Sequence, residues 1–448
     1  MRPGAVTIPT SITTPGLARL PLPSPTGAPA SLTAQRLSAA RWIDRHGFPS
    51  RRDEDWRYLD LTALLALPFE EDTNGAATRP GTDLGAAAGV DLRGPRLVFV
   101  NGRVAPELCR PGSRSDEGGV WNLATVLAER PHELAATLGP SRAGWYHAFH
   151  ALNAALATDG ALIQIPPGSR LEAPIQLVFL SLPSDRPTMA SPRSLILAGA
   201  GSRVSVVVHH FGAAGQPVCT NAVTEVVCSE TAQVDYTEVQ DAPQTAFHLS
   251  LLDVRQAAGS AFSARTVTLG GLVARHEIRV ALSGPAAETN LDGLYLPAGP
   301  QHHDHPVLVD HAAPGATSRQ LYKGVVGGTG RGVFNGHIVV RPGADGTDAS
   351  QLNKNLILSD QAEIDTRPRL EIHADDVRCT HGAAVGQLDP DALYYLRSRG
   401  IPRAHAERIL VGAFAGELID RIPHDAVRAL VEARIAERLS THAEADRR

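Results

Sequence analysis

The residue types best suited to chemistry sit close together late in the chain. Cys379 and His381 are two positions apart in the run from Ala374 to Gln387, just after the paired carboxylates Asp375 and Asp376. In an extended strand, side chains at i and i+2 share a face and stand about 6.6 Å apart. A thiolate and an imidazole on one face are soft-to-borderline metal ligands. Two ligands leave a site half built, because a closed metal site usually takes four. A metal role for this pair therefore requires ligands from elsewhere, including from another chain. The bland reading of Cys379 is a small, partly buried thiol.

Three other groups invite a chemical reading. Gln301-His302-His303-Asp304-His305, followed by Asp310-His311, concentrates imidazoles and carboxylates. Strand alternation sets His302 and Asp304 opposite to His303 and His305, so one ion cannot take them all. The expectation is a set of polar side chains at a turn, hydrogen-bonded to neighbouring coils. Lys323 beside Gly324 suggests phosphate, but no GxxxxGK[ST] surrounds it; tight turns built on Gly and Asn are the simpler account. Asp365, Glu371, Asp375 and Asp376 are a carboxylate cluster of the kind that polysaccharide lyases and hydrolases use.

The elements that must position these residues follow from pattern. The 448 residues are 43% apolar and 20% charged, with a formal net charge of -5, which suits a folded chain rather than a dedicated nucleic-acid binder. Aromatics are only 5%, so a core of small and β-branched side chains is expected and sugar-stacking surfaces are scarce. No apolar run approaches the roughly 20 residues of a membrane-spanning helix. Cys109, Cys219, Cys228 and Cys379 contain no CxxC pair. They read as reduced, mostly buried thiols in a cytoplasmic setting, with Cys219 and Cys228 on neighbouring strands if they pair at all. Residues 1–30 are rich in Pro, Ser and Thr and lack acids. They are expected to be a disordered leader, with a plastid transit peptide as the second reading.

Residues 31–158 read as a mixed, mainly helical region. Leu32, Leu37, Ala40 and Ile43 lie at helical spacing before Gly47, and Asp53 is placed to cap a short helix carrying Trp56. Asn101-Gly102 predicts a type I′ hairpin, and helical patterns return near 121–138 and 144–158. Over 159–388 the period becomes two. A turn of small or polar residues precedes an alternating strand at Gly201–Val206, Thr231–Tyr236 and Gly259–Ala264, with degenerate copies from Ala286 and Ala316. The spacing of roughly 27–30 residues predicts a β-solenoid. From 389 to 448 the pattern is helical again. Asp389-Pro390 supplies an N-cap, Gly400 a stop, and Pro402 and Pro423 two restarts. Stripes at Ile409, Leu410, Ala413, Phe414 and Ile419, and at Val427, Leu430, Val431 and Ile435, are expected to be internal core.

From Ser318 to Gly416 the chain resembles the SufB/SufD family of iron–sulfur cluster assembly proteins. The residues that carry the likeness are Ser318–Val325, Val333-Phe334-Asn335-Gly336, Gln351–Leu356, Ala362–Ile372, Asp375–Gly382 and Tyr394–Ile401. Glu54-Asp55-Trp56-Arg57-Tyr58 and the region from Leu152-Asn153 to Gly160 agree more loosely. The Cys-x-His-Gly pattern at Cys379–Gly382 is similar to the SufD-like side of the family. SufB-like sequences place a cysteine where this chain has Leu396.

The resemblance implies a mainly β fold, a right-handed parallel β-helix flanked by helical N-terminal and C-terminal regions. It implies a non-catalytic scaffold that pairs with a SufB paralogue through the β-helix core and binds the ABC ATPase SufC through the C-terminal helices. ATP-driven rearrangement would then form a nascent iron–sulfur cluster at the core interface, transient and shared with the partner. His381, and Cys379 less firmly, are its implied ligands here. This chain would bind no nucleotide, since it has no Walker motif, and nucleic acid and membrane are not implied as partners. The alternative from composition and carboxylates is a β-helix polysaccharide lyase or hydrolase.

Overall fold

The computed structural model describes residues 22–23, 29–71, 90, 92–110, 112, 118–130, 144–182 and 184–445. The leader expected over 1–30 falls outside these apart from 22–23 and 29–30, as does the part of the 121–138 helical pattern after 130. The strands are β1 (Arg96–Val100), β2 (Arg103–Val104), β3 (Gly119–Asn122), β4 (Ala161–Ile165), β5 (Ile175–Ser181), β6 (Thr188–Ala190), β7 (Arg193–Ala198), β8 (Arg203–Gly212), β9 (Val218–Cys228) and β10 (Gln233–Asp241). They continue as β11 (Phe247–Gln256), β12 (Ala261–Thr268), β13 (Val273–Leu282), β14 (Glu288–Tyr295), β15 (His302–His311), β16 (Thr317–Val326), β17 (Arg331–Val340), β18 (Thr347–Ile357), β19 (Glu363–Ile372) and β20 (Val377–Gly386).

Most of these strands alternate between two sheets and form a parallel β-solenoid of about 7 turns, with β1–β2 and β3–β4 paired antiparallel and β6 beside β9. One sheet runs β2-β1-β5-β8-β10-β12-β14-β16-β18-β20, the other β19-β17-β15-β13-β11-β9-β7-β4-β3. Val204, Val234, Phe262, Thr289, Ser318, Ala349 and Cys379 stand in one register column. Successive members are 30, 28, 27, 29, 31 and 30 residues apart, which is the repeat seen in the sequence. The turn before each strand has a physical cause for its composition. Gly201, Thr231, Gly259, Ala286, Gly315 and Gly346 occupy it with φ between 53° and 74°, the left-handed region where a side chain is costly. Their amides donate to the turn of the next coil, as Gly201 N to Glu230 O at 2.9 Å and Gly315 N to Asp345 O at 2.8 Å.

Alternation then divides each strand. Val204, Val206, Val208, Val234, Tyr236, Phe262 and Leu291 point into the lumen and form the main core with Val226, Val254, Ile278 and Val309 from the facing sheet. Val207, Val239, Val267, Leu294 and Leu321 point outward beneath Val411, Ala415, Leu418, Ile419, Ile422, Val427, Val431 and Ile435 of the C-terminal helices Arg403–Ile419 and Asp425–Ala445. Val427, Val431 and Ile435 of the second stripe are core, as expected, while Leu430 is half-buried. The first is shifted: Ile409 is 40% exposed and Ala413 is exposed, because the face seated on the sheet carries Ala406, Val411, Ala415 and Leu418. The helices Ala30–His46 and Ala148–Leu156 cover the other sheet, with Ala39, Ala40, Ile43, Trp56, Phe149 and Leu152 packed against Cys219, Phe247 and Leu249.

Local expectations resolve in the same terms. Asn101 and Gly102 have φ of 49° and 83°, and Val100 pairs with Arg103, the predicted hairpin. Asp53 precedes a single 3-10 turn at Glu54–Trp56. Asp389 caps the helix Pro390–Ser398 by accepting from Asp391 N and Ala392 N. Cys219 and Cys228 are buried free thiols on one strand, β9, rather than on neighbouring strands. Gly324, Asn335 and Gly336 do not form tight turns; they lie inside β16 and β17. A Cβ on Gly324 would stand 2.4 Å from the Tyr295 ring, and one on Gly336 would strike Gln351, so these glycines make room for inward side chains of adjoining coils.

Candidate functional site

β20 closes one sheet and β19 the other, and among the described residues neither has a further strand beside it. Cys379 pairs in register with Ala349 and His381 with Gln351. Ala349 and Gln351 are buried lumen residues, so the pair continues two lumen columns at the last coil, where the solenoid opens. Gln351 is held from behind, its amide donating to Gln320 Oε1 at 3.0 Å. Cys379 is half-buried beside Ile338, Val340 and Ala349, while His381 is exposed. Burial raises the Cys379 thiol above its ordinary value, with the Asp348 carboxylate adding to it. A thiol raised in this way is a weak nucleophile. Asp375 and Asp376 occupy the exposed bend before β20.

The other sequence candidates are dispersed. His302 and Asp304 face the N-terminal layer, where Asp304 is held by Arg275, while His303 and His305 are fully buried in the lumen. They lie within β15, not at a turn, and His311 hydrogen-bonds Ser318 Oγ at 2.9 Å. Lys323 reaches the C-terminal helix, donating to Phe414 O at 2.7 Å and pairing with Glu417 at 2.6 Å. It is a structural clamp. Of the carboxylates, Asp365 is paired with Arg331 at 2.6 Å, and Glu371 lies between His337 at 3.3 Å and His373 at 2.8 Å. A glycosidic mechanism needs a free carboxylate pair, and these two are already engaged.

A group that period-based reading missed lies deeper. His210 (β8), Glu238 (β10) and His248 (β11) converge in the lumen with ligand atoms within 4.8 Å of one another. They come from three strands of two successive coils, in both sheets, so no local motif announces them. The available signal was polar, titratable types at inward positions of strands otherwise lined by valine.

The terminal strands also leave apolar surface uncovered. Leu352, Ile372 and Val385 are 37%, 41% and 46% exposed, and Tyr394 and Tyr395 on the helix Pro390–Ser398 are 74% and 57% exposed. No helix among the described residues is long and apolar enough to cross a membrane.

Comparison with known proteins finds relatives along most of the chain. The family described as "SUF system FeS cluster assembly, SufBD core domain" matches residues 180–414, and "SufBD protein N-terminal region" matches residues 26–177. An iron–sulfur cluster assembly SufBD family protein of Synechocystis sp. is 34% identical over 405 residues, 88% of each chain. The iron–sulfur cluster assembly protein SufD of Escherichia coli is 30% identical over 402 residues, 88% of this chain and 90% of its own. SufD of Bacillus subtilis is 28% identical over 288 residues, 63% of this chain and 64% of its own.

Proposed function

The chain belongs to the SufBD family of SUF-system iron–sulfur cluster assembly proteins, and from that premise we propose that it is a SufD-type scaffold subunit. It pairs with a SufB paralogue through the open end of the solenoid. The observation that carries this reading is the half-built site on an unpartnered edge: Cys379 and His381 lie on β20, the last strand of its sheet. An open edge is a template for another chain's strand. A partner docked there covers Leu352, Ile372 and Val385 and brings the ligands that two side chains lack. The cluster is cargo, held briefly between the two chains. His381 is the firmer ligand because it is exposed at the mouth, and Cys379 joins when metal displaces its proton.

The C-terminal helices are the dock for the SufC ATPase. Their inner face is committed to the sheet, while Tyr394, Tyr395 and Ile409 remain exposed. Aromatic anchors of this kind dominate interface energetics. Lys323 and Glu417 tie this layer to β16, so movement of the dock is transmitted to the core. The chain itself is non-catalytic and works in the cytoplasm, and ATP hydrolysis belongs to the partner. Co-expression with SufB and SufC paralogues followed by affinity purification tests the reading. A stable three-component complex is expected; a chain that elutes alone overturns it.

A further inference from the structure

Inside the lumen, far from the open end, sits a carboxylate without an arginine. Glu238 is 4% exposed, His210 5% and His248 2%. Glu225 and Glu277 are also buried, but each is met by arginine, Glu225 by Arg193 and Glu277 by Arg275 and Arg279. Among the described residues, the ion-pair partners within reach of Glu238 are all imidazoles. Its Oε1 stands 3.7 Å from His210 Nε2, 4.0 Å from His248 Nε2 and 3.5 Å from His276 Nδ1. Its other oxygen is fixed by the Tyr236 hydroxyl, which donates at 2.7 Å. That bond orients the carboxylate so that Oε1 faces the imidazoles, and both Oε1 and His248 Nε2 lack a hydrogen-bond partner. His276 Nδ1 is engaged with Ser250 Oγ at 2.6 Å and supports the group from outside.

Unpaired buried groups of this kind are costly. The ring nitrogens of His210 and His248 and Oε1 of Glu238 lie within 4.8 Å of one another, around a common point. Two neutral imidazoles and one carboxylate are the donor set of first-row divalent ions such as Zn(II) and Fe(II). Ligand atoms of a tetrahedral zinc ion lie about 3.3 Å apart, given bonds near 2.0 Å. The observed separations, up to 4.8 Å, exceed that by about 1.5 Å at most, so a bound ion would draw the three side chains together.

We propose that His210, Glu238 and His248 bind one divalent transition-metal ion, of the zinc or ferrous class, inside the solenoid. The ion ties β8, β10 and β11 together across the lumen. It is distinct from the cluster-ligand pair: the column from Glu238 runs through Thr266, Gly293, Tyr322 and Asn353 to Ala383, five strand spacings or about 24 Å. The luminal site does not depend on the partner reading.

The test uses the full chain carrying C379A and H381A, which removes the surface ligands. After dialysis against EDTA, inductively coupled plasma mass spectrometry should find about one equivalent of zinc or iron per chain, which also identifies the ion. Adding E238Q or H248Q should lower retained metal by about tenfold or more, with unchanged circular dichroism. Metal below about a tenth of an equivalent in the parent, or content indifferent to both substitutions, overturns the proposal. Should either variant fold poorly, the C379A/H381A chain grown on cobalt decides. A d–d spectrum of nitrogen and oxygen ligation without thiolate charge transfer is expected. A thiolate band, or no cobalt spectrum, contradicts it.

Discussion

At the scale of single residues, the solenoid is written in small side chains and backbone sign. Ala286 holds the left-handed turn that glycine holds in neighbouring coils, with φ of 53°. Ala286→Gly should therefore relieve strain and raise stability by about 0.5–1 kcal/mol, measured by urea unfolding, since the strain of a left-handed alanine outweighs the added chain entropy. A loss of stability there would contradict the turn geometry. Gly293 is the opposite case. A Cβ there would stand 2.1 Å from the Tyr322 ring, so Gly293→Ala should destabilise by about 1–3 kcal/mol or more, seen as a lower Tm. Lys323, one of two lysines in the chain, was the residue whose role the sequence hid. Its position beside a glycine evoked phosphate, whereas the contact that defines it comes from Glu417, nearly a hundred residues on.

At the scale of elements, the edge strands and the C-terminal helices carry the functional claim. Ile372→Lys with Val385→Lys places charge on the two terminal strands. Co-purification with the paralogue should fall sharply while the isolated chain's stability changes by less than about 0.5 kcal/mol. Tyr394→Ala with Tyr395→Ala should weaken ATPase binding by about tenfold or more, read by titration calorimetry, without altering the fold. Element type was largely legible beforehand, because period two and period 3.6 are local signals. The solenoid repeat, the Asn101-Gly102 hairpin and the Asp389 cap all follow from neighbours in sequence. Which face of a helix meets the sheet is not local. The stripe through Ile409 and Ala413 looked inward by composition, yet the sheet selects Val411, Ala415 and Leu418. The same limit hid His210, Glu238 and His248, which meet only once two successive coils have stacked and their two sheets face each other.

At the scale of the whole molecule, the buried imidazoles set the acid limit of stability. Burial holds His209, His302 and His311 near about 4, below the ordinary 6.5, and His303 near about 3. The unfolded chain takes up protons that the folded one refuses. The stability these groups contribute is complete above pH 6.5 and is lost as pH falls toward 4, at up to about 1.4 kcal/mol per pH unit for each histidine. The urea midpoint should accordingly drop steeply between pH 6.5 and 4.5; a flat profile would show that these imidazoles are not buried neutral. The proposed function at this scale rests on incompleteness, a lumen that ends in Cys379 and His381 on β20, an edge strand whose one partner among the described residues is β18. The most direct measurement is iron and acid-labile sulfide per complex, after anaerobic purification with the SufB and SufC paralogues, for the native chain and for C379A/H381A. Complexes of the same composition are expected from both, with cluster content substantially lower in the variant. Equal iron and sulfide in the two would contradict the assignment of Cys379 and His381 to the cluster.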